Sequence, residues 1–340
     1  YAYNRLAEYS GGAANPTMLP NPDLESLFTT SYEFGTDIRL LNNRIGVDFT
    51  YYTGNTKNQI LSTTIDAASG MRSAVVNAGR ISNSGFELAV NGSPLKSQTG
   101  LNWNVFGTFT ANQNKVLELT TELEGGLILQ NGPGSRGAII AKVGGGMGDL
   151  YGRGYQRAPG GEIIYNELGY PLLTTDMMYI GNTNPQWKAS IGNTFKYRQF
   201  TLNFLFDAQY GAKAYSQSSA KLVEQGKTTN TLPGRYNGII GNGVQRNADG
   251  TFRPNDVIGR NAWTYYNTHY GLDNVEGTTY STDFLKLRET RLDYTFAPKL
   301  ASKLGLQRAT IGIYGRDLFV VTKWPVFDPE FGTLDGANIN

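Results

Sequence analysis

Cysteine is absent from this chain, so neither a disulfide nor a thiolate metal site is available to it. Histidine occurs once, at His269, which excludes a multi-histidine metal centre and forces any Ser/His/Asp triad to use that residue. No stretch approaches the eighteen or so uninterrupted apolar residues that a membrane-crossing helix needs, and the mean hydropathy is −0.36. The formal net charge is only +2, which gives no electrostatic argument for nucleic acid as a partner. What the 340 residues hold in quantity is glycine (42), tyrosine (21) and phenylalanine (16).

The aromatic and aliphatic residues fall into paired runs that alternate apolar with polar. In the first pair, Tyr32, Phe34, Ile38 and Leu40 oppose Glu33, Asp37 and Arg39. A turn at Leu41 to Arg44 follows, and Ile45, Val47, Phe49 and Tyr51 then oppose Asp48, Thr50 and Tyr52. Asparagine in that turn tolerates the left-handed backbone that hairpins require. A second pair sets Phe86, Leu88 and Val90, then Leu101, Trp103, Val105 and Phe109, on one phase, with a turn around Ser93 to Gly100. The third pair, Trp187 to Tyr197 and Phe200 to Gln209, turns at Arg198-Gln199. A fourth runs from Phe284 to Phe296, turns through Pro298 to Gly305, and returns as Arg308 to Phe319. Leu285 and Leu287 are odd whereas Leu292, Tyr294 and Phe296 are even, so a bulge is expected near Arg288-Glu289.

Two features separate this pattern from a soluble sheet, which also alternates. The strands run to about ten to twelve residues, matching the nine to eleven or so that a tilted strand needs to cross a bilayer. The joints are also lopsided, with short turns on one side and gaps of roughly twenty and then roughly seventy residues on the other. The expected fold is therefore all-β: about eight strands of a transmembrane antiparallel β-barrel with long extracellular loops. Each large apolar group on Phe200 to Phe206 is worth about 1.5–3 kcal/mol when removed from water. A basic residue misplaced at the bilayer midplane costs about 2–4 kcal/mol. Lys188, Lys196 and Asp207 all sit on the polar phase, so the register is strongly specified. Trp103, Trp187, Tyr51, Tyr197 and Tyr210 lie near strand ends, where an interfacial girdle belongs.

Several stretches resemble the SusC-like (SusC/RagA) TonB-dependent outer-membrane transporters, in the C-terminal part of their barrel. They are Asn21-Pro-Asp-Leu24, Thr30-Ser-Tyr-Glu-Phe-Gly35, Leu41 to Tyr52, Asn77-Ala-Gly79 with Gly85-Phe-Glu87, and Tyr179 to Trp187. Phe284-Leu-Lys-Leu-Arg288, Tyr294-Thr-Phe296, Gly315 to Phe319 and Phe327-Asp-Pro-Glu330 complete the series. The resemblance implies a barrel of twenty-two strands in the bacterial outer membrane, capped by a SusD-like surface lipoprotein and importing oligosaccharide or oligopeptide fragments. Residues 1–340 would be a C-terminal segment of that barrel domain. The plug and last strand would lie outside it, and the TonB complex would be contacted through the N-terminal part. The chain opens at Tyr1 in what reads as mid-sequence, without a signal peptide, and closes in loop-like residues from Phe331 to Asn340. It is therefore expected to be a piece of a longer protein.

Chemistry has little to stand on. Gly144 to Gly148 with Tyr151-Gly-Arg-Gly154 lacks the following helix of a phosphate loop, and is expected to be a flexible surface loop. Asn247-Ala-Asp249-Gly250 lacks the ligands of a calcium loop and is expected to be a turn before a strand. His269, within Trp263 to Tyr270, is expected to be an exposed or hydrogen-bonded loop histidine, and neither enzyme activity, metal nor cofactor is expected. Amphipathic rings lining a mouth suit sugar faces or peptide side chains. The expected substrate-binding residues are Tyr151, Tyr155, Tyr236, Trp263, Tyr265, Tyr266 and Tyr270, with Tyr165 and Tyr170 in the same loops. The bland reading is that these rings pack the loops together. A soluble extracellular β-rich glycan-binding or adhesive module is the alternative for the whole chain.

Overall fold

The computed structural model describes residues 4–5, 13–14, 16–120, 125–132, 136–303 and 305–331. Most of the expected turn at Pro298 to Gly305 is described, whereas the expected terminal loop beyond residue 331 lies outside the described residues. Eight long strands make one antiparallel sheet in which each strand pairs with its neighbours in sequence. They are β1 (Phe28–Leu40), β2 (Ile45–Lys57), β3 (Gly79–Leu95), β4 (Leu101–Leu119), β5 (Trp187–Tyr197), β6 (Phe200–Tyr210), β7 (Phe284–Thr295) and β8 (Thr310–Thr322).

The turns follow from local chemistry. Leu41, Asn42 and Asn43 take φ of 53°, 54° and 62°, and Arg44 N–H closes the turn onto the Leu40 carbonyl at 3.1 Å. Arg198 takes φ 52° in the two-residue turn between β5 and β6. The joint from β7 to β8 carries a short helix, α3 (Pro298–Lys303).

Register sorts the side chains into two faces. Ile38 opposes Val47, Phe49 opposes Leu88, Leu88 opposes Phe109, Phe195 opposes Leu202, and Leu202 opposes Leu292, which opposes Ile313. No aspartate, glutamate, lysine or arginine occurs on this row between the hairpin turns and its upper aromatic rings. Those rings stack from strand to strand: Phe49 to Phe86 to Phe109 to Trp187 to Tyr210, with centroids 5.5 to 6.3 Å apart. Large apolar side chains on the row stand open, Phe34 at 65% and Ile313 at 78% exposure. An apolar face of this extent needs a lipid solvent. Asp48, Glu87, Lys196, Asp207, Arg291 and Asp293 occupy the other face.

The expected bulge is present. Leu205 faces Glu289 and Phe206 faces Leu287, leaving Arg288 unpaired, and β8 answers with its own irregularity at Asp317, φ 46°. That bulge places Lys286 and Arg288 both on the polar face. Lys286, 1% exposed, is held by Asp328 at 2.5 Å and by Glu330, while Arg288 grips Glu330 at 2.7 Å and also Asp207.

At the end opposite the tight turns, β3 and β4 reach 17 and 19 residues and the three long joints fold together. The first joint contributes strands Ile60–Thr64 and Ser73–Asn77. The second contributes a four-stranded sheet of Leu127–Asn131, Gly137–Ala141, Asp149–Gly152 and Met178–Asn182. The third contributes α1 (Gln217–Glu224), capped by Ser216, and α2 (Ala262–Tyr270), capped by Asn261. One buried cluster joins Ala78 of the first joint to Leu127 and Ala141 of the second, and another joins Leu150 and Ile180 to Tyr215 and Val275 of the third. A Cβ on Gly152 would lie 2.4 Å from the Val275 side chain, so only glycine admits this approach.

Candidate functional site

The cap built by these joints is organised around His269, and its chemistry begins with burial. His269 lies on α2 and is 6% exposed. Its Nδ1 is 3.1 Å from the Tyr155 hydroxyl and its Nε2 is 3.0 Å from the Tyr165 hydroxyl. Tyr155 donates its proton to the His269 carbonyl at 3.0 Å, so it accepts from Nδ1–H, which leaves Nε2 to accept from Tyr165. The rings of Tyr265 and Tyr270 stand 4.6 and 5.5 Å from the imidazole. Burial pushes the His269 pKa down to about 4, and pushes both Tyr155 and Tyr165 well above the usual phenol range. Every polar atom of the imidazole is engaged within the protein, a load-spreading joint rather than a general base. Glu276 ties the same hub outward, accepting from the Tyr155 amide at 2.8 Å and pairing with Arg157 at 2.6 Å.

The seven expected binding residues part company here. Tyr155, Tyr265, Tyr266 and Tyr270 gather at or beside the histidine, and Tyr155 and Tyr266 are 8% and 7% exposed. Trp263 and Tyr266 line a cavity of about 850 Å³ between the end of α1 and the start of α2. Tyr151 stands apart on the four-stranded sheet, half-buried, with Lys142 Nζ 4.5 Å over its ring. Tyr236 is 99% exposed.

Two expectations about loops are corrected and a third holds. Trp263 to Tyr270 is helical rather than a loop, and its histidine is buried. Gly144 to Gly148 is a turn pinned on both sides, Gly146 N–H donating to Asp149 at 2.9 Å and Met147 N–H to Asn114 at 2.7 Å. Asn247 to Gly250 is the expected turn, leading into the strand Phe252–Pro254. Arg235 and Arg260 of the cavity wall escaped sequence reasoning, since isolated arginines in a long polar joint carry no periodicity. Lys286 and Arg288 were legible only as motif matches, although two cations on the polar phase beside a bulge are a signal.

An antiparallel wall with a charge-free apolar face, a charged opposite face and a cap at one end defines a β-barrel protein of the bacterial outer membrane. The family model described as TonB dependent receptor-like, beta-barrel matches residues 1–220, and the chain belongs to that family. Membership in this outer-membrane barrel family, which is not a family of enzymes, removes the soluble-module alternative. Among relatives, TonB-dependent receptor P3 of Formosa agariphila is 23% identical over 92% of this chain, and receptor P39 of the same organism is 24% identical over 95%. The chain spans 32% and 34% of those two proteins, about a third of each. Among solved structures, the RagAB peptide transporter matches 98% of this chain and 36% of its own, with TM-score 0.69 at 20% identity. The RagAB peptide importer in its closed-closed state matches 93% of this chain and 34% of its own, with TM-score 0.68 at 18% identity.

Proposed function

We propose that residues 1–340 form the C-terminal part of the barrel domain of a TonB-dependent outer-membrane importer of glycan or peptide fragments. The plug and last strand belong to other parts of the parent protein, through which the TonB complex acts, and a SusD-like surface lipoprotein works with the cap. The observation that carries the reading is the union of a lipid-facing wall with a cap whose three joints share two buried clusters. Such a cap presents fixed ring faces above a polar lumen, which is what capture of a soluble oligomer requires. Trp263, Tyr236 and Tyr151 offer rings to substrate. Tyr155, Tyr265, Tyr266 and Tyr270 hold the shape that positions them.

The test is uptake by cells carrying the full-length parent. The protein should fractionate with the outer membrane, and uptake of its nutrient should vanish when the TonB complex is disrupted. Uptake independent of TonB would refute the import reading.

A further inference from the structure

The aromatic side chains in the walls of the cavity between α1 and α2 are held by hydrogen bonds within the protein. Trp263 Nε1 donates to the Glu224 carbonyl at 2.9 Å, which fixes the indole while leaving the residue 57% exposed. The Tyr266 hydroxyl donates to the Pro233 carbonyl at 3.0 Å, and the Tyr170 hydroxyl accepts from the Asn261 amide at 3.1 Å. Arg235 is anchored through backbone carbonyls of Gly226 and Thr231 and forms no ion pair among the described residues. Arg260 lines the same cavity and, among the described residues, has neither an ion pair nor a side-chain hydrogen bond. The one carboxylate of the wall, Glu224, is paired with Lys221 at 2.5 Å. What remains for a ligand is a rigid indole face beside uncompensated guanidinium charge.

We infer that this cavity is a subsite for an acidic sugar, a uronic-acid unit within an oligosaccharide, and so rests on the import reading while narrowing its substrate class. The apolar C–H face of a pyranose stacks on a fixed indole. Its exocyclic carboxylate matches the planar donor fork of arginine, which lysine could not supply. About 850 Å³ accommodates a short run of sugar rings. An acidic peptide would satisfy the guanidinium but leave the indole face without a ring to stack on it.

Binding is measured by calorimetry on the full-length protein purified from the outer membrane. The probes are oligogalacturonate, oligomannuronate and a hyaluronan tetrasaccharide, with methyl-esterified oligogalacturonate and an aspartate-rich peptide as comparators. At least one uronate probe should bind and, if it is oligogalacturonate, its neutral ester should bind at least about tenfold more weakly. Arg260→Gln and Trp263→Ala should each weaken the uronate by about tenfold or more, whereas Trp263→Phe, which keeps a ring, should stay within about threefold. The Arg260 side chain is exposed and has no hydrogen-bond or ion-pair partner among the described residues, so its variant separates loss of charge from loss of fold. No uronate binding, unchanged affinity in Arg260→Gln, or equal affinity for the peptide would each overturn the subsite. TonB-dependent uptake with no uronate binding would leave the import reading standing, and uronate binding without such uptake would do the reverse.

Discussion

At the residue scale, His269 shows how a lone titratable group can be structural. Its imidazole sits between Tyr155 and Tyr165 of one joint while belonging to another, so protonation acts on the contact between them. The folded cap holds the pKa at about 4, whereas a histidine in unfolded chain titrates near 6.5. The unfolded form therefore binds the proton first, so the stability that the neutral His269 contributes is complete above about pH 6.5, is lost as pH drops toward 4, and changes no further below that. The full difference is on the order of 3 kcal/mol. Hydrogen exchange across 155–165 and 262–270 in the full-length protein, corrected for intrinsic rate, should show protection lost across that window. His269→Gln, uncharged throughout, should flatten the pH dependence. Equal acid sensitivity in both proteins would remove His269 from this role.

At the element scale, the legible strands are those whose alternation sets large apolar groups against polar ones. Phe200 to Gln209 was readable because four big apolar side chains alternate with Thr201, Asn203 and Asp207. The bulge at Arg288 was readable from the phase slip it repairs. The upper reaches of β3 and β4 were not, since Ser82 to Ser84 and Asn112 to Lys115 are polar on both phases above the lipid. Helix α2 was hidden for a different reason: Ala262 to Tyr270 is rich in tyrosine and threonine, which favour strands, and has no apolar stripe at helical spacing. Packing against α1 and the Asn261 cap decide its conformation instead. Equally hidden was which aromatic residues are buried and which are exposed, because packing separates Tyr266 from Trp263 and nothing in the local sequence does. The two faces of β6 should respond oppositely to charge. Phe204→Lys places a cation on the lipid row at a cost of about 2–4 kcal/mol and should block membrane assembly. Asn203→Asp faces the lumen and should assemble as the parent does, as read by heat-modifiable migration of the folded barrel.

At the scale of the whole molecule, a wall made of hairpins with tight turns at one end and folded joints at the other separates two tasks. The wall solves the solvent problem by sending its charges inward, where Asp207, Arg288, Lys286 and the 328–330 segment knit β6, β7 and the chain after β8 into one ion cluster. The cap holds its three joints together through two buried clusters, and on the proposed function it is the part that meets substrate. Both depend on the assignment of the apolar row to lipid. These 340 residues contain no cysteine, so single cysteines can be introduced at consecutive positions of β6 without interference from native ones in this segment. The decisive measurement labels Leu202→Cys, Asn203→Cys, Phe204→Cys, Leu205→Cys and Phe206→Cys in the membrane-embedded full-length protein with bimane, and reads quenching by brominated lipid. The account predicts strong quenching at 202, 204 and 206 and weak quenching at 203 and 205. Uniform quenching, or the opposite phase, would contradict it.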